Sequence, residues 1–207
     1  MATFLLVRHG YTDWIETETL HGISDRPLSA VGLQQAQATA DYLKDSAIER
    51  LYTSPLLRAS QTADIIAAAT GVQAVTVPEF REENFGWLEG KRDWWSAVRK
   101  SRFLSWVYIY GRAVVGTLTG EPFWQFDRRV AQAWETLKSE NPSGIIALVA
   151  HYGVLRAILA HEFGGSRFNP DSYTLSACSV SRISINGSGP KLISINENSH
   201  LPGEDLL

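Results

Sequence analysis

Five residues of the chain combine the side chains needed to transfer a phosphoryl group: Arg8, His9, Arg58, Glu82 and His151. An arginine guanidinium presents a planar fork of donors that fits a phosphate. A neutral histidine beside such positive charge can attack phosphorus, and a protonated carboxylic acid can give a proton to the departing alkoxide. These residue types predict cleavage of a phosphate ester, with His9 as the nucleophile and Glu82 as the acid. A metal ion is not required, because the arginines and His151 supply the positive charge.

The predicted strands place these residues at one edge of a sheet. Apolar runs over residues 4–7 and 144–150 are typical of buried strands, and they end at Arg8 and His151. The other candidates follow the second and third predicted strands. Ligands of α/β sheets bind at the carboxyl ends of the strands. We therefore expect residues that are far apart in sequence to converge there.

Strands and helices alternate along most of the chain. Further strands are predicted over residues 50–53 and 73–77, and a C-terminal hairpin over residues 178–185 and 191–195. Helices are predicted over residues 29–44, 57–70, 121–139 and 153–163. This alternation predicts an α/β fold with three layers, α/β/α, and a mostly parallel central sheet. The helix starts after Gly10 and Gly153 would offer backbone N–H groups to an anion.

Residues 91–124 differ in composition from the rest of the chain. Basic residues are interleaved there with aromatic ones, namely Trp94, Trp95, Phe103, Trp106, Tyr108, Tyr110 and Trp124. We expect a helical insertion that folds over the active site. Its aromatic rings would form a small core, line the mouth of the pocket for an apolar leaving group, or form an oligomer interface.

Composition limits the class of protein. The 207 residues carry a net charge of −3, and 44% are hydrophobic. These values are ordinary for a globular protein, and we predict one domain over residues 1–207. The charge does not favour nucleic acid or a membrane as a partner. The single cysteine, Cys178, excludes an intrachain disulfide, and we expect a cytoplasmic protein with no cofactor or metal.

The motifs resemble, in order, those of the histidine phosphatase superfamily, branch 1, which has the phosphoglycerate-mutase-like fold. The run Arg8-His9-Gly10 with Thr12 matches the signature of this family. The other matching segments are residues 20–29, 54–63, 81–90 and 149–156, with the usual ending at 196–201. A single short motif is weak evidence, but several in the expected order are specific.

The resemblance implies a role for each matching residue. His9 would be phosphorylated, Glu82 would donate the proton, and Arg8, Arg58 and His151 would bind the phosphoryl group. Within the same motifs, the substrate or phosphate contacts would also include Thr12, His21, Gly22 and Tyr152. His21 either touches the substrate with its loop or is an exposed histidine.

Three departures from the family pattern affect the expected activity. Tyr11 and Ile15 stand where many members carry glutamate and asparagine. Glu83 occupies the position of an arginine that helps phosphoglycerate mutases hold the substrate carboxylate. An acid there would repel such a substrate, which favours a phosphatase acting on small phosphomonoesters. The alternatives are a cofactor-dependent phosphoglycerate mutase and a non-catalytic phosphate-binding protein, and a homodimer is open for each.

Overall fold

The computed structural model of the protein describes residues 1–91, 119–165 and 172–201. Its strands are β1 (Ala2–Arg8), β2 (Arg50–Thr53), β3 (Ala74–Thr76), β4 (Gly144–Ala150), β5 (Val180–Asn186) and β6 (Gly189–Glu197). Its α-helices are α1 (Asp13–Glu16), α2 (Ala30–Leu43), α3 (Leu57–Thr70), α4 (Phe123–Glu140) and α5 (Tyr152–Phe163). Two short 3-10 turns, Pro78–Phe80 and Gly86–Leu88, lie before and within the acid loop, which comprises residues 81–90.

The strands form one sheet in the order β3-β2-β4-β1-β5-β6. The first four strands in this order are parallel, and the hairpin of β5 and β6 adds two antiparallel strands. Arg8 of β1 pairs with Ala150 of β4, and Thr53 of β2 pairs with Val149. The predicted, mostly parallel sheet is confirmed, and the carboxyl ends of three strands lie side by side.

Helices cover both faces of the sheet and produce the three predicted layers. Successive strand residues point to opposite faces. Leu5 and Val7 of β1 therefore pack with α2 and α3, whereas Phe4 and Leu6 pack with α4 and α5. Phe4 meets the buried Trp134 of α4 edge to face, with ring centroids 4.8 Å apart. Burial on both faces explains why β1 and β4 are continuous apolar runs.

Local signals fix the bounds of several elements. The hydroxyl of Ser29 accepts the Gly32 N–H at 3.1 Å and caps α2, and Gly71 ends α3 with a φ of +75°, as the sequence predicts. β5 begins at Val180 instead of Cys178, because Cys178 adopts a φ of +58° and donates its N–H to the carbonyl of Arg8 at 2.9 Å.

The predicted insertion can be compared with the structure only at its ends. Most of the insertion predicted over residues 91–124 falls on residues 92–118, outside the described residues, and Trp124 at its end lies in the first turn of α4. Within the described part of the chain, no helix combines the length and apolar character needed to cross a membrane.

Candidate active site

The carboxyl edge of the sheet brings the predicted residues together. His9 follows β1 and His151 follows β4, and their ring centroids lie 5.0 Å apart. Arg58, the second residue of α3, places its Nε 3.2 Å from His9 Nε2. Glu82 reaches the start of α5, where its Oε2 accepts the Gly153 N–H at 3.1 Å. The expected convergence of distant residues is therefore observed.

His9 is held as one neutral tautomer. Its Nδ1 lies 2.8 Å from the carbonyl oxygen of Gly10, which can only accept, so Nδ1 carries the ring proton. The Nε2 lone pair remains free to accept the Arg58 N–H. Burial, and then the charges of Arg58 and Arg8, hold the pKa of His9 well below its usual range. His9 is therefore neutral, as attack on phosphorus requires, and burial contributes more to the low pKa than the arginines do.

Arg58 is oriented by the loop that precedes α2. Its side chain is only 1% exposed, and its two terminal nitrogens donate to the carbonyls of Ser24 at 3.0 Å and Gly22 at 2.8 Å. Gly22 thus contributes a carbonyl that positions Arg58. Burial lowers the pKa of Arg58 to about 10, opposed by the nearby carboxylates, of which Glu82 has the largest effect. The guanidinium therefore stays charged at neutral pH.

Arg8 is held between the backbone and an aromatic ring. Its Nη1 donates to the carbonyl of Leu175 at 2.6 Å, and its guanidinium lies 4.9 Å from the ring centroid of Tyr152. The hydroxyl of Tyr152 accepts from Arg156 Nη1 at 2.9 Å. The ring of Tyr152, predicted to contact phosphate, therefore also stacks on a predicted phosphate-binding arginine.

A serine that the sequence did not single out contacts His151. The Oγ of Ser54, which directly follows β2, lies 2.6 Å from His151 Nε2, and both residues are buried. When this hydroxyl donates to Nε2, Nδ1 of His151 carries the ring proton. No hydrogen-bond partner for that Nδ1 exists among the described residues. Burial, followed by the charge of Arg58, holds the pKa of His151 well below its usual range. The expectation that His151 adds positive charge is therefore wrong.

Glu82 is fixed by two backbone donors. Its Oε1 accepts its neighbouring Glu83 N–H at 2.9 Å, and its Oε2 accepts from Gly153. The N–H of Gly153 is one of two backbone donors beside the predicted helix starts that are already used within the protein, because it holds Glu82. The other one, the N–H of Gly10, donates to Thr62 Oγ1 at 3.2 Å.

Thr12 and His21 form a pair beside this cluster. The hydroxyl of Thr12 accepts the Ile15 N–H at 3.3 Å, which caps α1, and it lies 3.1 Å from His21 Nε2. His21 is half-buried, not the exposed loop histidine of the alternative. Burial, with the charges of Arg58 and Arg8 next, lowers its pKa to about 3, so His21 is neutral at physiological pH.

Comparison with known proteins establishes the family to which this chain belongs. The family model described as histidine phosphatase superfamily (branch 1) matches residues 4–198. The chain belongs to this superfamily. The resemblance read from the motifs is therefore confirmed.

Relatives within the superfamily include both phosphatases and mutases. The chain is 30% identical over 203 residues to the uncharacterized phosphatase PhoE of Bacillus subtilis (strain 168), covering 98% of each protein. It is 33% identical over 207 residues to the probable phosphoglycerate mutase GpmB of Yersinia enterocolitica, covering 97% of this chain and 95% of GpmB. The structure of YhfR from Bacillus stearothermophilus matches with a TM-score of 0.84 at 23% identity, over 98% of this chain and all of YhfR. The likeness to PhoE supports a phosphatase, the likeness to GpmB leaves the exact class of enzyme unsettled, and the structure of YhfR confirms the fold.

Arg129 holds the backbone at the start of the acid loop, a contact that the sequence did not predict. Arg129 of α4 pairs with Glu121, with its Nη2 2.6 Å from Glu121 Oε2. Its Nη1 donates to the carbonyls of Glu79 and Arg81, and the latter bond measures 3.0 Å. This arginine thereby fixes the backbone just before Glu82. A basic residue on an amphipathic helix is usually solvated, so its sequence carries no signal for this role.

The described residues contain one group of side chains with the spacing of metal ligands. It comprises Glu135 of α4 together with His161 and Glu162, which lie at the end of α5 remote from His151. Lys138 Nζ already lies 2.8 Å from Glu135 and 2.5 Å from Glu162. An ammonium group in this place neutralises the carboxylates that would attract a cation.

Proposed function

We propose that the protein is a phosphatase that hydrolyses phosphomonoesters of small molecules through a phosphohistidine on His9, with Glu82 as the general acid. The observation that carries this proposal is the Nε2 lone pair of a buried, neutral His9 beside the Arg58 guanidinium. A nucleophile next to a dianion-binding arginine is what attack on a phosphate ester requires.

The reaction divides into two displacements. His9 Nε2 attacks phosphorus, the ester P–O bond breaks, and the proton of Glu82 passes to the leaving oxygen. Water then attacks phosphorus and passes a proton to Glu82, the P–N bond to His9 Nε2 breaks, and inorganic phosphate and neutral His9 are released. Arg8, Arg58 and the Nδ1 N–H of His151 would hold the phosphoryl oxygens, and the Arg58 bond to His9 would be exchanged for one to phosphate.

A phosphoglycerate mutase is the second candidate, supported by the likeness to GpmB. The buried Glu83, only 1% exposed, argues against it. It directly follows Glu82 in the acid loop, so its charge would oppose the carboxylate of a phosphoglycerate. We therefore favour transfer of the phosphoryl group to water.

Release of inorganic phosphate from a panel of phosphate esters, including p-nitrophenyl phosphate, tests the proposal. The assay is run in EDTA on wild type, His9→Ala and the control His161→Ala, whose ring pairs with Glu135 at 2.8 Å on the surface. We expect release by wild type and the control and none by His9→Ala. Full activity of His9→Ala would overturn the proposal. Interconversion of phosphoglycerates without phosphate release would select the mutase.

Several expectations from the sequence accompany this proposal and stay predictions. They are a single domain with a cap over residues 91–124, a cytoplasmic location, and independence of cofactors and metals, while the oligomeric state, including a homodimer, stays open. The aromatic residues of the cap keep their three interpretations, which are a small core of its own, a pocket mouth that selects an apolar leaving group, and an oligomer interface.

A further inference from the structure

The carboxylate of Glu89 joins two loops of the candidate site. Its Oε1 accepts the N–H of Ile23 at 2.9 Å and of Phe85 at 3.1 Å. Its Oε2 accepts the N–H of Ser24 at 2.8 Å, together with the Ser24 hydroxyl. One side chain thus receives four hydrogen bonds, from donors about sixty residues apart in the chain.

Each of the two loops positions a group of the proposed reaction. The first loop supplies the carbonyls of Gly22 and Ser24 that orient Arg58, and Arg58 in turn contacts His9. The second loop is the acid loop, in which Phe85 follows the proposed proton donor Glu82 by three residues. Glu89 therefore contacts both the loop that orients the proposed phosphate-binding Arg58 and the loop that carries the proposed acid, Glu82.

The surroundings of Glu89 are built for a carboxylate. A Cβ at position 22 would overlap Glu89 Oε1, so glycine at Gly22 leaves the space that the carboxylate fills. All four groups that hydrogen-bond to Glu89 are donors. A carboxylate only accepts hydrogen bonds, so it can satisfy every one of them. An amide has one oxygen and one NH₂ group, so glutamine would aim a donor at other donors. Backbone pairing of Gly90 N–H with the carbonyl of Leu20 at 3.1 Å keeps the loops adjacent but does not replace these bonds.

We propose that Glu89 is a positioning residue that holds Arg58 and Glu82 where both can act on a phosphate ester together with His9. This inference rests on the proposed phosphatase function. Loss of the carboxylate would release both loops, so phosphate would bind less tightly and the proton would be delivered less well. Misplacement of catalytic groups by about 1 Å lowers rates by about 10²-fold.

The test compares Glu89→Gln with wild type on two substrates, an alkyl phosphate and p-nitrophenyl phosphate. The alkoxide needs a proton to leave, whereas p-nitrophenolate does not. Displacement of Arg58 would raise KM for both substrates and weaken binding of inorganic phosphate measured by calorimetry. Displacement of Glu82 would add a loss of kcat/KM with the alkyl phosphate alone, because kcat/KM reports the step that breaks the ester bond, whereas kcat also includes the hydrolysis of phosphohistidine that both substrates share. Glu79→Gln, which neutralises an exposed carboxylate just before the acid loop, is the matched control.

We expect Glu89→Gln to lose about 10²-fold in kcat/KM for the alkyl phosphate and clearly less for p-nitrophenyl phosphate, with weaker phosphate binding. Ser24→Ala removes one of the four bonds and should show a smaller change in the same direction, which keeps the test valid if Glu89→Gln folds poorly. The inference would be overturned if folded Glu89→Gln had the same KM and phosphate affinity as wild type, and the same ratio of kcat/KM between the two substrates. The proposed function fails if wild type hydrolyses no ester. An unchanged affinity of Glu89→Gln for phosphate would separately refute the claim that Glu89 positions Arg58.

Discussion

Gly153 leaves the space that the carboxylate of Glu82 occupies. A Cβ at position 153 would lie 2.5 Å from Glu82 Oε1 and 3.2 Å from its Cδ. Because an ordinary contact between nonbonded heavy atoms is about 3.5 Å, the carboxylate in Gly153→Ala must move by roughly 1 Å. A displacement of this size costs about 10²-fold in the step that the group catalyses. Alanine stabilises a helix by about 1 kcal/mol relative to glycine, so a loss of activity would not reflect a weaker α5.

The assay for Gly153→Ala measures kcat/KM on an alkyl phosphate and on p-nitrophenyl phosphate, with Tm recorded for the same samples. We expect kcat/KM, which reports cleavage of the ester bond, to fall by about 10²-fold for the alkyl phosphate and much less for p-nitrophenyl phosphate, whose leaving group needs no proton from Glu82. The control is Gly187→Ala, because no atom lies within 4 Å of a Cβ at that position. Equal losses on both substrates, or unchanged activity in a folded variant, would refute the role given to Glu82.

Two further predictions follow from the buried histidines. Folded Ser54→Ala should have a kcat lower by roughly tenfold to a hundredfold, because the hydroxyl orients His151, and equal activity to the control Ser60→Ala would contradict this. The pKa values of His9 and His151 are lowered by folding, so the unfolded chain takes up protons first as pH falls below about 6.5. The free energy of unfolding therefore keeps its full value above this pH. Below it, the free energy of unfolding should decrease by about 1.4 kcal/mol per pH unit for each histidine. Calorimetry should show a shallower decline in His151→Gln, and identical slopes would argue against a neutral, buried His151.

The sequence predicted the sheet edge well because its signals are local. The apolar runs that end at Arg8 and His151 are strands buried on both faces, and parallel strands align their carboxyl ends. Gly71 stops α3 at the predicted position, since a left-handed residue favours glycine there. Motif order then indicated the family without any long-range information.

Interactions between distant segments were not predictable in the same way. Ser54 was visible only as a turn residue after β2, although its place at a strand end is the same signal that marked His9. The contacts of Glu89 with Ser24 depend on how two loops meet, and no periodicity encodes that. The charge state of His151 follows from burial, which the sequence does not report, and so the prediction of a cationic His151 was wrong.

The central claim is that His9 Nε2 becomes covalently phosphorylated. Rapid quenching of wild type during turnover of a radiolabelled phosphate ester, followed by peptide mapping, measures this directly. We predict an acid-labile label on His9 that appears within the first turnover and is absent from His9→Ala. Turnover with no label on His9, or turnover retained by His9→Ala, would contradict the account.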